Sequence, residues 1–235
     1  MTFPVLATLL TGGLAALDAV PVAQTLFSQP LVTASVLGWA WGEWRVALEV
    51  GVVLQVLAAS TQPVGARTPE DYASGGVTGA GLALALASQQ SLAIARDGCA
   101  LVGVLAGMVT ALGGVPLVRW QRRRNEALSR WCEAELRRGH EGALAQSHRA
   151  AVVLAFAVGV GYSAVSLGLG FWVLRRWVDF ESLRLTHAWS VAEPLWLGLG
   201  LAQMLHAFVQ RRLSRAALFG AALIATWLAL MVGAP

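Results

Sequence analysis

The stretch VGARTPED places three charged side chains in a region that is otherwise poor in charge. Arg67, Glu70 and Asp71 stand within five residues, and Gly65 and Pro69 interrupt regular helical structure around them. Such a break exposes backbone groups, and the carboxylates add hydrogen-bond acceptors, which is how membrane carriers build a polar site for a hydrophilic solute. The alternative is an ordinary loop outside the membrane, in which an aspartate or threonine caps the next helix.

Two further polar side chains, Glu49 and Gln55, lie in an apolar run that is predicted to form one helix. A separation of six positions is about 600° of rotation, so the two side chains face different sides. Gln55 offers a donor and an acceptor to a hydroxylated ligand, or else it makes a hydrogen bond between helices. Glu49 in lipid is by default a proton or ligand site, or else it pairs with Arg45 four positions earlier.

Motifs for catalysis or metal binding are absent from the sequence. Cys99 and Cys132 are far apart, no Cys/His spacing resembles a metal site, and we expect both to be free thiols. The four histidines lack neighbours of the kind that catalysis requires. We therefore expect no cofactor and no metal, and an integral membrane enzyme has little support.

The composition is typical of a membrane protein. The chain is 57% hydrophobic and only 13% charged, with a mean hydropathy of +0.63, whereas soluble domains carry about a quarter charged residues. A crossing needs about 20 residues, so 235 residues allow six or seven crossings. The sequence predicts an all-α polytopic membrane protein with about six to seven transmembrane or re-entrant helical segments, forming a single membrane-embedded domain over residues 1–235. The net charge of +4 comes from arginines that lie beside apolar segments. This position favours a role in setting the orientation of the chain in the membrane over nucleic-acid binding.

Windows without charge locate the crossings, because an ionised side chain at the bilayer centre is unfavourable. They are Met1 to Leu17, Cys99 to Val118, Ala150 to Leu174, Pro194 to Gln210 and Ala216 to Pro235. Two other regions predict a broken helix or re-entrant hairpin in the N-terminal half. Residues 19–42 contain two prolines, and residues 72–95 begin with small flexible residues and contain Gln89, Gln90 and Ser91. Irregular backbone at membrane depth must face protein or a water-filled cavity, so we expect residues 72–95 to point inward.

The longest hydrophilic connection, residues 119–149, contains eight arginines next to membrane ends. This places it in the cytoplasm, and its apolar spacing predicts an amphipathic helix lying in the membrane interface. The basic residues 210–215 are expected on the same side if two crossings separate the clusters. Residues 175–184 then lie outside.

Several short motifs resemble a known family in their order and spacing. They are Gln29-Pro30-Leu31, Gly42-Glu43, Gly51, Gln55, Gly65-Ala66 and Asp71, with Asp18 as an early Leu-Asp match. Their arrangement is similar to that of the IIC permease subunit of the mannose/fructose/sorbose family of the sugar phosphotransferase system (PTS). The resemblance is good from Leu17 to Gln90 and weak beyond it.

The resemblance implies a transporter subunit of the bacterial cytoplasmic (inner) membrane, multi-pass, and not an enzyme. A IIC subunit of this family pairs with a IID subunit, and together they bind and translocate a hexose or amino-hexose. Cytosolic IIA and IIB proteins relay phosphate from phosphoenolpyruvate, and IIB phosphorylates the sugar. A homotrimer of heterodimers is also implied. By position, the expected substrate-binding residues are Gln55 and Asp71, with Glu70 and Arg67 as neighbours.

Some residues depart from the family pattern. Glu43, Glu49 and Arg67 replace other residue types, and Ala95 to Gly98 interrupt an apolar run. The alternative hypothesis is therefore a degenerate IIC-like membrane scaffold, or a regulatory docking protein, without transport.

Overall fold

The computed structural model describes residues 2–19, 22, 24–59, 68–90, 93–208, 214, 216–221 and 224. The helices are α1 (Thr2–Ala19), α2 (Pro30–Trp41), α3 (Trp44–Ala59), α4 (Tyr72–Ala87), α5 (Ala93–Arg137) and α6 (Ala143–Phe208). Residues 216–221 are also helical. No strand occurs in these residues, and the fold class is the predicted all-α membrane architecture.

The segment after α1 is irregular and is held by one carboxylate. Asp18, which is buried, accepts hydrogen bonds from the Thr25 hydroxyl and the Ser28 backbone N–H, both at 2.8 Å, and from the Thr25 backbone N–H. Gln24 and Leu26 have positive φ angles of 51° and 71°. Asp18 therefore stabilises a sharply bent connection that ends where α2 begins.

Helices α2 and α3 form a hairpin. Gly42 ends α2 with a φ of 71°, a left-handed conformation that glycine adopts without strain. A Cβ at Gly51 would lie 2.6 Å from the Ala34 Cβ, so the two helices approach closely. At 12 and 16 residues, they are about 18 and 24 Å long, which is less than the ~30 Å hydrocarbon core. The N-terminal half thus contains the predicted broken-helix and hairpin region.

Helix α4 is the centre of the bundle, since every residue from Ser74 to Ala87 is buried. Its glycines pack directly on α5: a Cβ at Gly75 would lie 2.6 Å from the Gly107 carbonyl oxygen, and one at Gly79 would lie 2.7 Å from that of Gly103. The prediction that residues 72–95 point inward is confirmed for Ser74 to Ala87, whereas Ser88 and Gln89, after the helix, are exposed. The start of this stretch is a regular helix rather than irregular, because the small residues permit close packing while the helix satisfies its own backbone.

Helix α5 does not end where the apolar window ends. It continues for 45 residues to Arg137, and the turn that follows contains Gly139, with a φ of 88°. Ion pairs four residues apart, Arg130 with Glu126 and Arg137 with Glu133, support its distal part. The first part of the basic connection is thus a continuation of α5 and not the expected separate helix in the membrane interface.

Helix α6 has two parts, because helical geometry is interrupted at Glu181 (φ −105°, ψ 15°). The first part packs on α1 and α4; for example, a Cβ at Gly170 would lie 2.8 Å from Leu82. The second part follows α3 in the same direction, since Trp189 contacts Glu49 and Gly200 contacts Val56. The two parts therefore form a hairpin around Glu181.

Within the residues that the structure describes, two helical segments, Ala95–Arg137 and Ala143–Gln203, are long and apolar enough to cross a membrane. Large apolar side chains also cover the outside of the bundle; Trp172 is 76% exposed and Phe180 is 85% exposed. Such extensive apolar exposure is consistent with contact with lipid.

Candidate functional site

The starts of α2 and α4 meet at one end of the bundle. A Cβ at Gly76, in the second turn of α4, would lie 2.8 Å from the Cα of Pro30, the first residue of α2. Asp18 orders the connection into α2 at the same end. The first N–H groups of a helix carry a partial positive charge, so this end of the bundle concentrates backbone donors.

Gln55 of α3 makes hydrogen bonds at the start of α2. Its Nε2 donates to Gln29 Oε1 at 2.7 Å, and its Oε1 accepts from the Leu31 backbone N–H at 3.3 Å. Gln29 is the residue that precedes α2. Of the two alternatives for Gln55, the structure contains the hydrogen bond between helices. The resulting amide pair is partly buried.

Asp71 is the N-cap of α4. Its Oδ1 accepts from the Ser74 backbone N–H at 3.1 Å, and its own backbone N–H donates to the Ala111 carbonyl of α5 at 2.9 Å. A Cβ at Gly114 would lie 2.5 Å from the Asp71 Cβ, so α5 leaves room for Asp71 only because glycine occupies this position. The helix-capping alternative for the VGARTPED stretch is thus the role that Asp71 has here.

Only some of the four predicted binding residues are placed together at one end of the bundle. Gln55 contacts the start of α2 and Asp71 contacts α5, and no hydrogen bond joins their side chains. Glu70 precedes Asp71 in a non-helical segment and is partly buried. Arg67 lies outside the described residues.

Gln29 and Asp18 were not among the predicted site residues. Gln29 is the direct partner of Gln55, and Asp18 holds the segment before it. The available signal for Gln29 was its position before Pro30, which marks a helix start. For Asp18 the signal was a carboxylate at the end of an uncharged run.

A network of charged side chains joins α3, α5 and α6 at the opposite end of the bundle. Arg45 pairs with Glu49 and with Asp97, each at 3.0 Å. Arg96 pairs with Glu43 at 3.0 Å. Trp189 Nε1 donates to Glu49 Oε2, also at 3.0 Å. The ion-pair alternative for Glu49 is confirmed. Among the departures from the family pattern, Glu43 pairs with Arg96, whereas Glu49 and Asp97 share Arg45.

The family model of the PTS system sorbose-specific IIC component matches residues 3–234. The chain belongs to this family. This IIC component is therefore a membrane subunit of a sugar phosphotransferase system, and its family is a permease component.

Two solved structures share the fold of this IIC component. One, described as the structure of a membrane protein, is 18% identical with a TM-score of 0.68, covering 99% of this chain and 95% of that chain. The other is the cryo-EM structure of the mannose transporter ManYZ in complex with microcin E492 (MceA). It is 16% identical with a TM-score of 0.60, covering 98% and 96%. Comparison with curated proteins finds no match.

Proposed function

We propose that this IIC component binds a hexose or amino-hexose and translocates it together with a IID subunit. The observation that carries the proposal is the Gln29–Gln55 amide pair at the start of α2, next to the start of α4. An amide side chain has donors and acceptors, as a sugar hydroxyl does, so one amide can exchange its partner for a hydroxyl. Buried polar groups in an apolar bundle are otherwise unfavourable.

The sugar lies near the starts of α2 and α4 in this proposal. Gln55 is its principal amide contact, and Asp71 and Glu70 supply carboxylate acceptors from the non-helical segment before α4. Arg67 is the cationic neighbour of the same segment. Short helices that end inside the bundle support this arrangement, because carriers form their binding sites from interrupted helices near the membrane midplane.

The family, and the fold shared with the mannose transporter, support a proposal for the wider assembly. The chain is a single multi-pass domain, residues 1–235, of a bacterial cytoplasmic (inner) membrane, with the connection 119–149 in the cytoplasm. Its partners are a IID membrane subunit and cytosolic IIA and IIB phosphocarrier proteins. The IIB protein transfers the phosphoryl group to the sugar, and the membrane complex is a homotrimer of heterodimers.

Sugar binding by the reconstituted IIC–IID complex tests the proposal. The variant Gln55→Glu keeps an acceptor for the Leu31 N–H but removes the Nε2 donor. It therefore separates sugar binding from the hydrogen bond that Gln55 makes to the start of α2. Loss of one hydrogen bond corresponds to about a fivefold to tenfold weaker affinity. Gln146→Leu, an exposed glutamine near the α5–α6 turn, is the control and is expected to bind as wild type.

Hexose affinity is compared among wild type, Gln55→Glu and Gln146→Leu. Saturable hexose binding that weakens in Gln55→Glu and not in Gln146→Leu supports the proposal. Equal affinity in all three proteins removes Gln55 from the site. A complex that assembles with IID and the phosphocarriers but binds no hexose favours the scaffold alternative.

A further inference from the structure

An open apolar groove of about 500 Å³ runs along an exposed side of α5 and α6. Its walls include Val102, Leu105 and Val109 of α5 and Leu169, Val173 and Trp177 of α6. Val109 is 69% exposed, and its neighbours across the groove are similarly exposed. Neither Gln29 nor Gln55 lines the groove, and the proposed transport function does not use it.

The groove has the dimensions of a lipid chain. From Val102 to Gly113 it follows 11 residues of α5, or about 16 Å. One leaflet of the hydrocarbon core is about 15 Å thick. The polar lining residues of the groove are Thr110, Tyr162 and Ser166, and the Tyr162 hydroxyl donates to the Thr110 carbonyl at 2.7 Å.

The groove face of α5 continues into a tryptophan and two arginines. Trp120 is seven residues after Gly113 and therefore lies on the same face of this continuous helix. Arg123 and Arg124 follow Trp120 by three and four positions, which places them over it. The guanidinium carbon of Arg124 lies 5.5 Å from the centre of the Trp120 ring.

The arginines in and just after the charged part of α5, beyond Val118, differ in whether they form ion pairs. Those farther along α5 form ion pairs with glutamates: Arg130, Arg137 and Arg138 with Glu126, Glu133 and Glu135. Those next to the apolar window are exposed and form no ion pair in the described part of the chain: Arg119, Arg122, Arg123 and Arg124. No described carboxylate therefore neutralises the positive charge nearest the groove.

We propose that the groove holds an acyl chain of an anionic phospholipid whose phosphate lies at Arg123 and Arg124. The apolar walls bind the chain, and Trp120 lies at headgroup depth, where tryptophan is enriched. Unpaired arginines next to a membrane attract anionic headgroups. A zwitterionic lipid of the same chain length satisfies the groove but leaves the arginine charge uncompensated.

Native mass spectrometry of the full chain, purified from membranes, tests the headgroup contact. The probes are dioleoyl phosphatidylglycerol and dioleoyl phosphatidylcholine, which differ in headgroup charge. Wild type is expected to bind the first phosphatidylglycerol molecule about tenfold more tightly than the first phosphatidylcholine molecule. The double variant Arg123→Gln/Arg124→Gln is expected to lose this preference. Arg137→Gln/Arg138→Gln removes the same charge farther along the chain and is expected to keep it.

A second pair of variants tests the groove itself. Val109→Trp fills the groove and is expected to weaken the first binding of both lipids severalfold. Val153→Trp, on an exposed part of α6 outside the groove, is expected to bind as wild type. The proposal is overturned by equal binding of the two lipids to wild type or by equal behaviour of the two tryptophan variants. Photo-crosslinking from position 109 to a protein helix instead of lipid also overturns it.

Discussion

Arg45 in α3 and Asp97 in α5 form an ion pair across 52 positions of sequence, with Nη2 and Oδ2 3.0 Å apart. In the adjacent pair the roles are reversed: α5 contributes the cation, Arg96, and the residue before α3 contributes the anion, Glu43. Each side of the contact thus contributes one cation and one anion. This reciprocal arrangement joins the α2–α3 hairpin to the start of α5.

The Arg45–Asp97 pair is expected to be weak individually. The Arg45 side chain is 70% exposed, and exposed pairs contribute about 0.2 to 1 kcal/mol. A double-mutant cycle of Arg45→Ala and Asp97→Ala, measured as thermal unfolding in detergent, is expected to give a coupling energy in this range. The swapped protein Arg45→Asp/Asp97→Arg is expected to recover part of the loss. Strictly additive effects would mean that the pair contributes nothing to stability.

Glu49 is expected to matter more than either of its neighbours. Its side chain is only 17% exposed, and it accepts from both Arg45 and Trp189 Nε1. Glu49→Gln keeps an acceptor for Trp189, whereas Glu49→Leu leaves the indole N–H without one, which costs about 1 to 3 kcal/mol. We expect Leu to lower the unfolding temperature clearly more than Gln. Equal shifts would show that the Trp189 hydrogen bond is unimportant.

Gly114 is expected to be intolerant of a side chain. A Cβ there would lie 2.5 Å from the Asp71 Cβ, so Gly114→Ala forces α4 and α5 apart at the candidate site. Overpacking of this kind typically costs about 1 to 3 kcal/mol. Unfolding and hexose binding by the reconstituted complex measure the effect.

Gly161→Ala is the matched control for Gly114→Ala. It lies in a helix, and a Cβ there has nothing within 4 Å. Because alanine favours helix more than glycine does, we expect unchanged or slightly higher stability. If the two alanine variants behave alike, Gly114 does not determine the position of Asp71.

The α5–α6 turn is expected to loosen in acid. The hydrogen bond with His140, together with Arg138, lowers the pKa of Glu135 below its ordinary value. A carboxylate with a lowered folded-state pKa stabilises the turn above its ordinary pKa, and this contribution is lost as pH falls through the lowered value. Limited acid proteolysis between Arg138 and Gly142 is therefore expected to rise below about pH 4.

Glu135→Gln is expected to remove that pH dependence and leave the turn equally accessible at all pH values. Glu141→Gln, at an exposed position in the same turn, serves as the control and should keep the wild-type profile. An unchanged profile in Glu135→Gln would assign the acid response to another group.

Several features were predictable because they depend on local pattern. Low charge and long apolar windows predict a membrane bundle. The glycine and proline positions predict the hairpin region before α4. The four-residue spacing of Arg45 and Glu49 predicts their ion pair, because such residues are neighbours on a helix surface.

Other features were not predictable because they depend on how close two helices approach. The small residues of α4 predict irregular structure, yet its glycines fit against Gly103 and Gly107 of α5 and the helix is continuous through Ala87. The end of the apolar window at Val118 also does not end α5. Charged residues favour helix as well as apolar ones do, so loss of hydropathy marks a change of surroundings and not a helix end.

By itself, the sequence determined the class of molecule, its family and which stretches are apolar, since these depend on composition and on the order of residues. Only the tertiary structure decided the partners of the polar side chains. Gln55 meets Gln29, Asp71 fits against Gly114, and Asp97 pairs with Arg45, in each case across at least 26 positions. Hydrogen bonds and ion pairs act over a few ångströms, so their partners are fixed only when helices pack.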